Sequence, residues 1–342
     1  MESVLGIGNA IVDIPVLLPD NTILDEFAFP EGSMNHIDAP VAARLQKRTQ
    51  GLEFRHIQGG SAANTVAGAS QLGLRCGFIG KIGGDALGSH FLKGLVEEGV
   101  QASMLEGKLP SGRAYTFIRK TAGCTIGGDE SGQVRTFAAY LGAALEFSPK
   151  ELSEQMFEGY DCLHVEGYLM QCSGVVQRAM EIARGRGMKI SFDLGSAGIV
   201  QRFRGIIGNL IEEYADIVFA NLEEAEAFAG CSAEEAAGAL ARLMRCGNGG
   251  IAVVKLGAEG SIVQCGGQLC QIAPVQAKAA DTTGAGDAYA AGFLYAHSKG
   301  ADAGRCGKAG SLLASKVVAE VGPKISKSGW KVAKTEIDAL LK

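Results

Sequence analysis

Asp281-Thr282-Thr283-Gly284-Ala285-Gly286-Asp287 runs directly into Ala288-Tyr289-Ala290-Ala291-Gly292-Phe293-Leu294. A Thr/Gly/Ala run that ends in an acid opens a small-residue helical pattern. Gly284 and Gly286 let the backbone approach a ligand where a side chain would block it. The unpaired N–H groups of a helix start, with the positive end of its dipole, attract an anion. Asp287 falls in the first turn, beside that anion. Asp287 and Asp281 would serve equally as an ordinary first-turn charge and a turn residue. The functional alternative is a general base: a carboxylate takes the proton of an attacking hydroxyl while the N–H groups of Gly284, Ala285 and Gly286 hold the phosphoryl group in transfer.

Outward from this loop, the second half of the chain alternates strand and helix. Strands are expected at 161–166, 189–193, 216–220 and 250–256, and helices at 174–184, 199–214, 222–229 and 234–246. Such alternation implies a doubly wound α/β fold with a mostly parallel sheet and right-handed crossovers. Val4–Asp13 reads as a short apolar strand running into small residues and an acid, at the strand end where open α/β sheets bind ligands. Asp13 is then either a turn aspartate or an acceptor for two neighbouring hydroxyls. Gly59-Gly60-Ser61-Ala62-Ala63-Asn64 opens a further helix, Cys76–Ile82 is the next strand, Asp85 suits a helix cap, and a helix is expected from His90 to Glu98. Residues 14–50 are rich in turn punctuation, with a helix expected at 41–49. Residues 111–145 hold a hairpin, with strands at 113–118 and 134–137 about a turn at 127–132. A hairpin buries itself poorly alone. It makes sense as a small β lid, formed with strands from 14–50, that closes over a substrate and excludes water. Phe117, Phe137 and Tyr140 would either cover a base or form the lid's own core.

The stretch Asp281–Asp287 with its helix resembles the second signature of the ribokinase-like (PfkB) family of sugar and nucleoside kinases. Gly59–Asn64 through Gly80-Lys81-Ile82-Gly83-Gly84-Asp85-Ala86-Leu87-Gly88 resembles the first. The two stand in the family's order, and the resemblance runs from Gly6 to about Ser326. It implies a three-layer sandwich with helices on both faces of the sheet. The large domain would take 1–13, 51–102 and 146–342, and the lid about 14–50 and 103–145. It implies ATP as phosphoryl donor with Mg²⁺. Asp13, Gly59, Gly60 and Asn64 would bind the acceptor. Asn221-Leu222-Glu223-Glu224 matches the family's N-x-x-E motif, with Asn221 and Glu224 organising water around Mg²⁺, although the same residues also read as a helix-capping box. Lys255, Gly257, Gly260 and Thr283 would lie along the nucleotide, with a solvated lysine as the plainer reading of Lys255. Gly310 falls where some relatives carry a nucleotide-contacting asparagine. Val321–Ser326 resembles the segment that helps relatives bind K⁺, which would join Asp281, Thr283 and Ser326. The segments Gly8–Asp13, Gly32–Met34, Arg135–Phe137 and Glu166–Leu169 are closest to the adenosine-kinase-like branch. Adenosine is therefore the expected acceptor. A ribokinase- or fructokinase-like sugar kinase, a guanosine or inosine kinase, and a non-catalytic binding protein on the same fold are the alternatives.

The whole-chain numbers agree with an enzyme of small molecules. The 342 residues are 47% hydrophobic and 20% charged, with a net charge of -5. An acidic chain with a single Trp offers no surface for nucleic acid or anionic membranes. The nine cysteines are odd in number and form no C-x-x-C pair, which argues against a disulfide scaffold or zinc site and for free thiols in a reducing cytoplasm. No signal peptide or spanning segment is apparent. There is no G-x-x-x-x-G-K-[ST] and no H-R-D or D-F-G pattern, so P-loop and protein-kinase chemistry are excluded. The expected assembly is a monomer or a homodimer paired through the lid.

Overall fold

Ser3–Ile7 (β1) and Cys162–Glu166 (β9) are buried at every position, as strands covered on both faces must be. The computed structural model describes residues 1–119, 134–230, 250–266, 268–277, 283–319 and 325–342. Its main sheet has nine strands in the order β14-β13-β12-β11-β10-β9-β1-β5-β6. Around β1 and β9 these are β5 (Arg75–Gly83), β6 (Val100–Gly107), β10 (Lys189–Asp193), β11 (Ile217–Asn221), β12 (Ile251–Lys255), β13 (Ser261–Cys265) and β14 (Gln268–Ile272). The ladder is parallel from β6 to β12, and β13 and β14 are antiparallel additions at one edge.

Alternating side chains build two cores. Val4, Phe78, Phe219 and Val253 point to one face, where α3 (Ser61–Gln71), α8 (Ala285–Ser298), α9 (Ala303–Ala319) and α10 (Lys327–Leu341) pack. Leu5, Ile79, Val165 and Phe192 point to the other, covered by α5 (Val175–Gly185), α6 (Ala197–Tyr214) and α7 (Leu222–Ala229). Small residues let α8 sit close. A Cβ on Gly292 would lie 2.7 Å from the Ala309 carbonyl, and one on Gly68 3.0 Å from the Ala291 methyl.

The second, smaller sheet has the order β3-β8-β7-β2-β4, from β2 (Ile11–Leu18), β3 (Met34–His36), β4 (Ile57–Gln58), β7 (Gly112–Arg119) and β8 (Arg135–Tyr140). Three features differ from the sequence expectation. Val4–Asp13 is not one strand: β1 ends at Ile7, and after Gly8-Asn9-Ala10 the chain enters the small sheet as β2. Asp13 therefore lies within a strand of the small sheet rather than at the end of a main-sheet strand. Apolar runs on either side of the break hid it. Residues 103–107, assigned by sequence to the lid, finish β6 in the main sheet, and Ile57–Gln58 joins the small one. Helix α4 (Ala86–Glu97) starts earlier than a helix read from His90, because the Asp85 carboxylate caps it through the Gly88 N–H at 2.8 Å.

The turn expected at 127–132, the helix expected at 234–246, Asp281 and Cys124, Cys231 and Cys246 lie outside the described residues. The other six cysteines are unpaired thiols. Among the described residues no helix is long and apolar enough to cross a membrane.

Candidate active site

The register of the main sheet gathers polar side chains at one end and on one face. Asp193 stands beside Glu166 and Phe219, Phe219 beside Val253, and Asn221 beside Lys255. Cross-strand neighbours share a face, and Phe219 meets Tyr289 and Phe293 of α8. Glu166, Asp193, Asn221 and Lys255 thus close the C-terminal ends of four strands under the start of α8. The strand order reverses at β1, where neighbouring crossovers diverge, and that is where open α/β sheets bind ligands.

Gly284 is the N-cap of α8, left-handed at φ 76°, and among the described residues no side chain caps the helix. Its first N–H groups therefore face the cleft without an intrahelical partner. Asp287 follows in the first turn. Its Oδ1 accepts from Ser61 Oγ at 2.7 Å and its Oδ2 from Asn64 Nδ2 at 3.0 Å. Burial pushes its pKa up to about 6 against the pull of those two hydrogen bonds.

Lys255 is not a solvated lysine. Its side chain is 15% exposed and its Nζ donates to Asp193 Oδ2 at 2.9 Å. Burial would lower its pKa, but Asp193, Glu224 and Asp287 together outweigh that and hold it above the ordinary lysine value. A Cβ on Gly286 would sit 3.1 Å from this ammonium, so the glycine lets a fixed positive charge touch the loop.

Asn221 and Glu224 form the capping box of α7. Asn221 N and Nδ2 donate to the two Glu224 oxygens at 2.9 and 2.7 Å, and Glu224 N donates to Asn221 Oδ1 at 2.8 Å. Burial and the neighbouring Asp193 raise Glu224 to about 7. Both residues also line the cleft, so the capping role does not turn them away from it.

Asp13 faces the same cleft from β2, its carboxyl raised to about 7 by burial and by Asp287. Gly59 packs behind it: a Cβ there would lie 2.2 Å from Asp13 Oδ2. Gly60, at φ 89°, lines the cleft. Gly257, Gly260 and Thr283 line it too. Thr283 Oγ1 accepts from Arg135 of the small sheet at 3.0 Å. Gly310 is pressed against Tyr289, where a Cβ would lie 2.8 Å from the carbonyl, and its neighbour Ser311 takes the cleft position. Ser326 caps α10 through the Gly329 N–H at 3.1 Å. Phe117 and Tyr140 are core residues of the small sheet, whereas Phe137 lines the cleft.

Sequence reasoning missed Ser61, Asp193 and Glu166 as site residues. Glu166 is 1% exposed and bridges two backbones: Oε1 accepts from Asn9 N and Oε2 from Ala62 N, each at 2.8 Å. It pins the crossing between the sheets to the start of α3, and burial raises it to about 7. An acid closing an apolar strand was the signal used for Asp13. Applied to Val165-Glu166 and Phe192-Asp193 it would have found both.

One cleft of about 1010 Å³ joins Asp13, Asp193, Asn221, Glu224, Lys255 and the loop from Gly284 to Asp287. A buried carboxylate, a helix start and a buried cation along one trough are the kinds of group that phosphoryl transfer to a hydroxyl uses. The sequence pattern of the pfkB family carbohydrate kinases matches residues 32–328. The chain belongs to that family. The fold is shared at TM-score 0.83 with a probable sugar kinase of Rhizobium etli CFN 42, 31% identical over 99% of this chain and 98% of that one. Adenosine kinase of Sinorhizobium meliloti superposes at TM-score 0.82, 33% identical over 98% and 99%. A 5-dehydro-2-deoxygluconokinase of Halalkalibacterium halodurans is 30% identical over 301 residues, 85% of this chain and 87% of that one. The protein is thus a kinase of sugars or nucleosides, and ATP is the phosphoryl donor its family implies.

Proposed function

We propose that this kinase transfers the γ-phosphoryl group of ATP to the primary hydroxyl of a nucleoside, with adenosine as first choice. The observation that carries the nucleoside reading is the cleft wall beyond Asp13. Pro15, Met34, Ala114, Ile118 and Phe137 line it, a surface suited to a flat base rather than a second ring of hydroxyls. The cleft is large enough for a nucleoside and a nucleotide end to end.

In this reading Asp13 accepts from the ribose hydroxyls and brings the acceptor's primary hydroxyl to Asp287. Asp287 takes its proton as oxygen attacks phosphorus and the bond to the departing diphosphate breaks. The helix N–H groups after Gly284 hold the phosphoryl oxygens, and Lys255 supports them with a charge already desolvated and fixed by Asp193. Ser61 and Asn64 keep the carboxylate aimed. The donors beside the phosphate end are oxygens from Asp193, Asn221 and Glu224, which fits a hard ion such as Mg²⁺. Both Glu224 oxygens already accept hydrogen bonds, so it would hold the ion through water. When bound, the ion would neutralise phosphate charge. K⁺ activation through Asp281, Thr283 and Ser326 remains part of the proposal, as do the cytoplasmic location and a monomer or lid-paired dimer.

The test is ADP release with Mg-ATP and adenosine, guanosine, inosine, cytidine, ribose, fructose or 5-dehydro-2-deoxygluconate, in K⁺ and Na⁺ buffers. Preference for adenosine supports the reading. Turnover confined to a free sugar or to the gluconate overturns the nucleoside assignment, and equal rates in the two buffers overturn the K⁺ assignment.

A further inference from the structure

Behind Asp287 lies a second, much smaller cavity of about 50 Å³. Asn64, Gly284 and Asp287 line both it and the main cleft, so these three residues form the wall between the two spaces. Gln58 and Glu98 are the other polar residues in its wall, which is completed by apolar groups that include Ala67, Val317, Ile325 and Trp330. Gln58 is 3% exposed, and among the described residues its Oε1 has no hydrogen-bond partner. A buried carbonyl oxygen left without a donor is costly, and water is its usual partner. A water needs about 10–15 Å³ and two to four polar neighbours. The Gln58 amide, the Asn64 amide and the carboxylates of Asp287 and Glu98 supply them. Glu98, at the far end, is only partly buried and is steadied by Gln71 Nε2, which donates to its Oε2 at 2.8 Å.

We propose that this cavity holds the water through which the proton accepted by Asp287 leaves the enzyme, by way of Glu98. The proposal rests on Asp287 being the base. Each turnover breaks one O–H bond of the acceptor, forms one P–O bond, breaks another, and leaves one proton on Asp287. Nucleotide and acceptor then fill the front of the site and exclude water from it. The carboxylate must ionise again before the next turnover. A water behind it, shared with Glu98, takes the proton from the carboxylic acid and passes one on to the Glu98 carboxylate at the protein edge. No other reactant is needed.

The test is a pH jump on the closed complex with ADP, aluminium fluoride and whichever acceptor turns over fastest in the panel above. The pH is dropped across about 6, the Asp287 value. Time-resolved infrared follows the carboxylic acid C=O band of Asp287, assigned by its loss in Asp287→Asn. In the wild type the band should grow while both ligands stay bound. Ala67→Val, which adds two methyl groups at the cavity wall, and Glu98→Gln, which removes the relay, should each slow it by about an order of magnitude, towards the rate of ligand dissociation. A wild-type band that appears only as ligands leave, or variants that protonate at the wild-type rate, overturn the proposal. An active Asp287→Asn enzyme overturns the base assignment instead, and is read separately by phosphoryl transfer.

Discussion

Ser61 Oγ and Asp287 Oδ1 lie 2.7 Å apart although 226 residues separate them in the chain. With the Asn64 amide, this bond favours the ionised carboxylate and holds down a pKa that burial has raised to about 6. The base works only when ionised, so kcat/KM should fall as pH drops through that value. Removing the bonds lets burial act unopposed and raises the pKa further. The double variant Ser61→Ala/Asn64→Ala should therefore move the acidic limb of the pH–rate profile to higher pH. A limb that stays put or moves lower would show that these residues do not tune the base.

Lys255 and Asp193 stabilise the site only as a pair. Their side chains are 15% and 6% exposed, so removing one partner leaves a buried charge uncompensated. Lys255→Met should cost about 3 kcal/mol in urea unfolding. Lys255→Met/Asp193→Asn should recover much of that loss without restoring activity. Additive losses would mean that the pair is not coupled.

Asp13 places function against stability. Its carboxyl rises from 3.8 to about 7 on folding, so between those values the folded protein binds its proton more tightly than the unfolded chain. The associated stability is complete below the lower value and is lost as pH rises through the upper one. Asp13→Asn removes that loss. The variant should melt at a higher temperature than wild type above about pH 7 and show no advantage near pH 4, while losing acceptor binding. Differential scanning fluorimetry across pH reads the crossover directly.

Much of this was legible in the sequence. Strand–helix alternation gave β10 and α7 to the residue, because buried apolar runs and a capping box mark their own ends. The loop before α8 declared itself through Gly284, Gly286 and Asp287. Other features depended on tertiary context. The Gly8-Asn9-Ala10 step is the one local trace of the strand ending at Ile7, and it does not tell that the apolar run after it joins a second sheet. Lys255 looked like a surface lysine because its partner, Asp193, is 62 residues away. Gly310 falls where some relatives carry an asparagine, and only the packed helices show that it lies against Tyr289 while Ser311 lines the cleft.

The two glycines that follow Lys255 should respond differently to alanine. At Gly260, φ is 93° and a Cβ would lie 2.0 Å from the Ile272 carbonyl oxygen, so the β13–β14 edge must move. Gly260→Ala should cost about 3 kcal/mol or more. Gly257 has φ 60° with nothing within 4 Å. Gly257→Ala should cost about 1–2 kcal/mol. Equal losses in chemical denaturation would contradict this account of the turn.

The central claim is that Asp287 removes the acceptor's proton, and the most direct test is single-turnover phosphoryl transfer by Asp287→Asn with the preferred acceptor. Asparagine keeps the shape but cannot accept the proton. The rate should fall by about 100-fold or more, with ATP affinity within a few-fold of wild type. A variant that transfers phosphate at near the wild-type rate would contradict the claim.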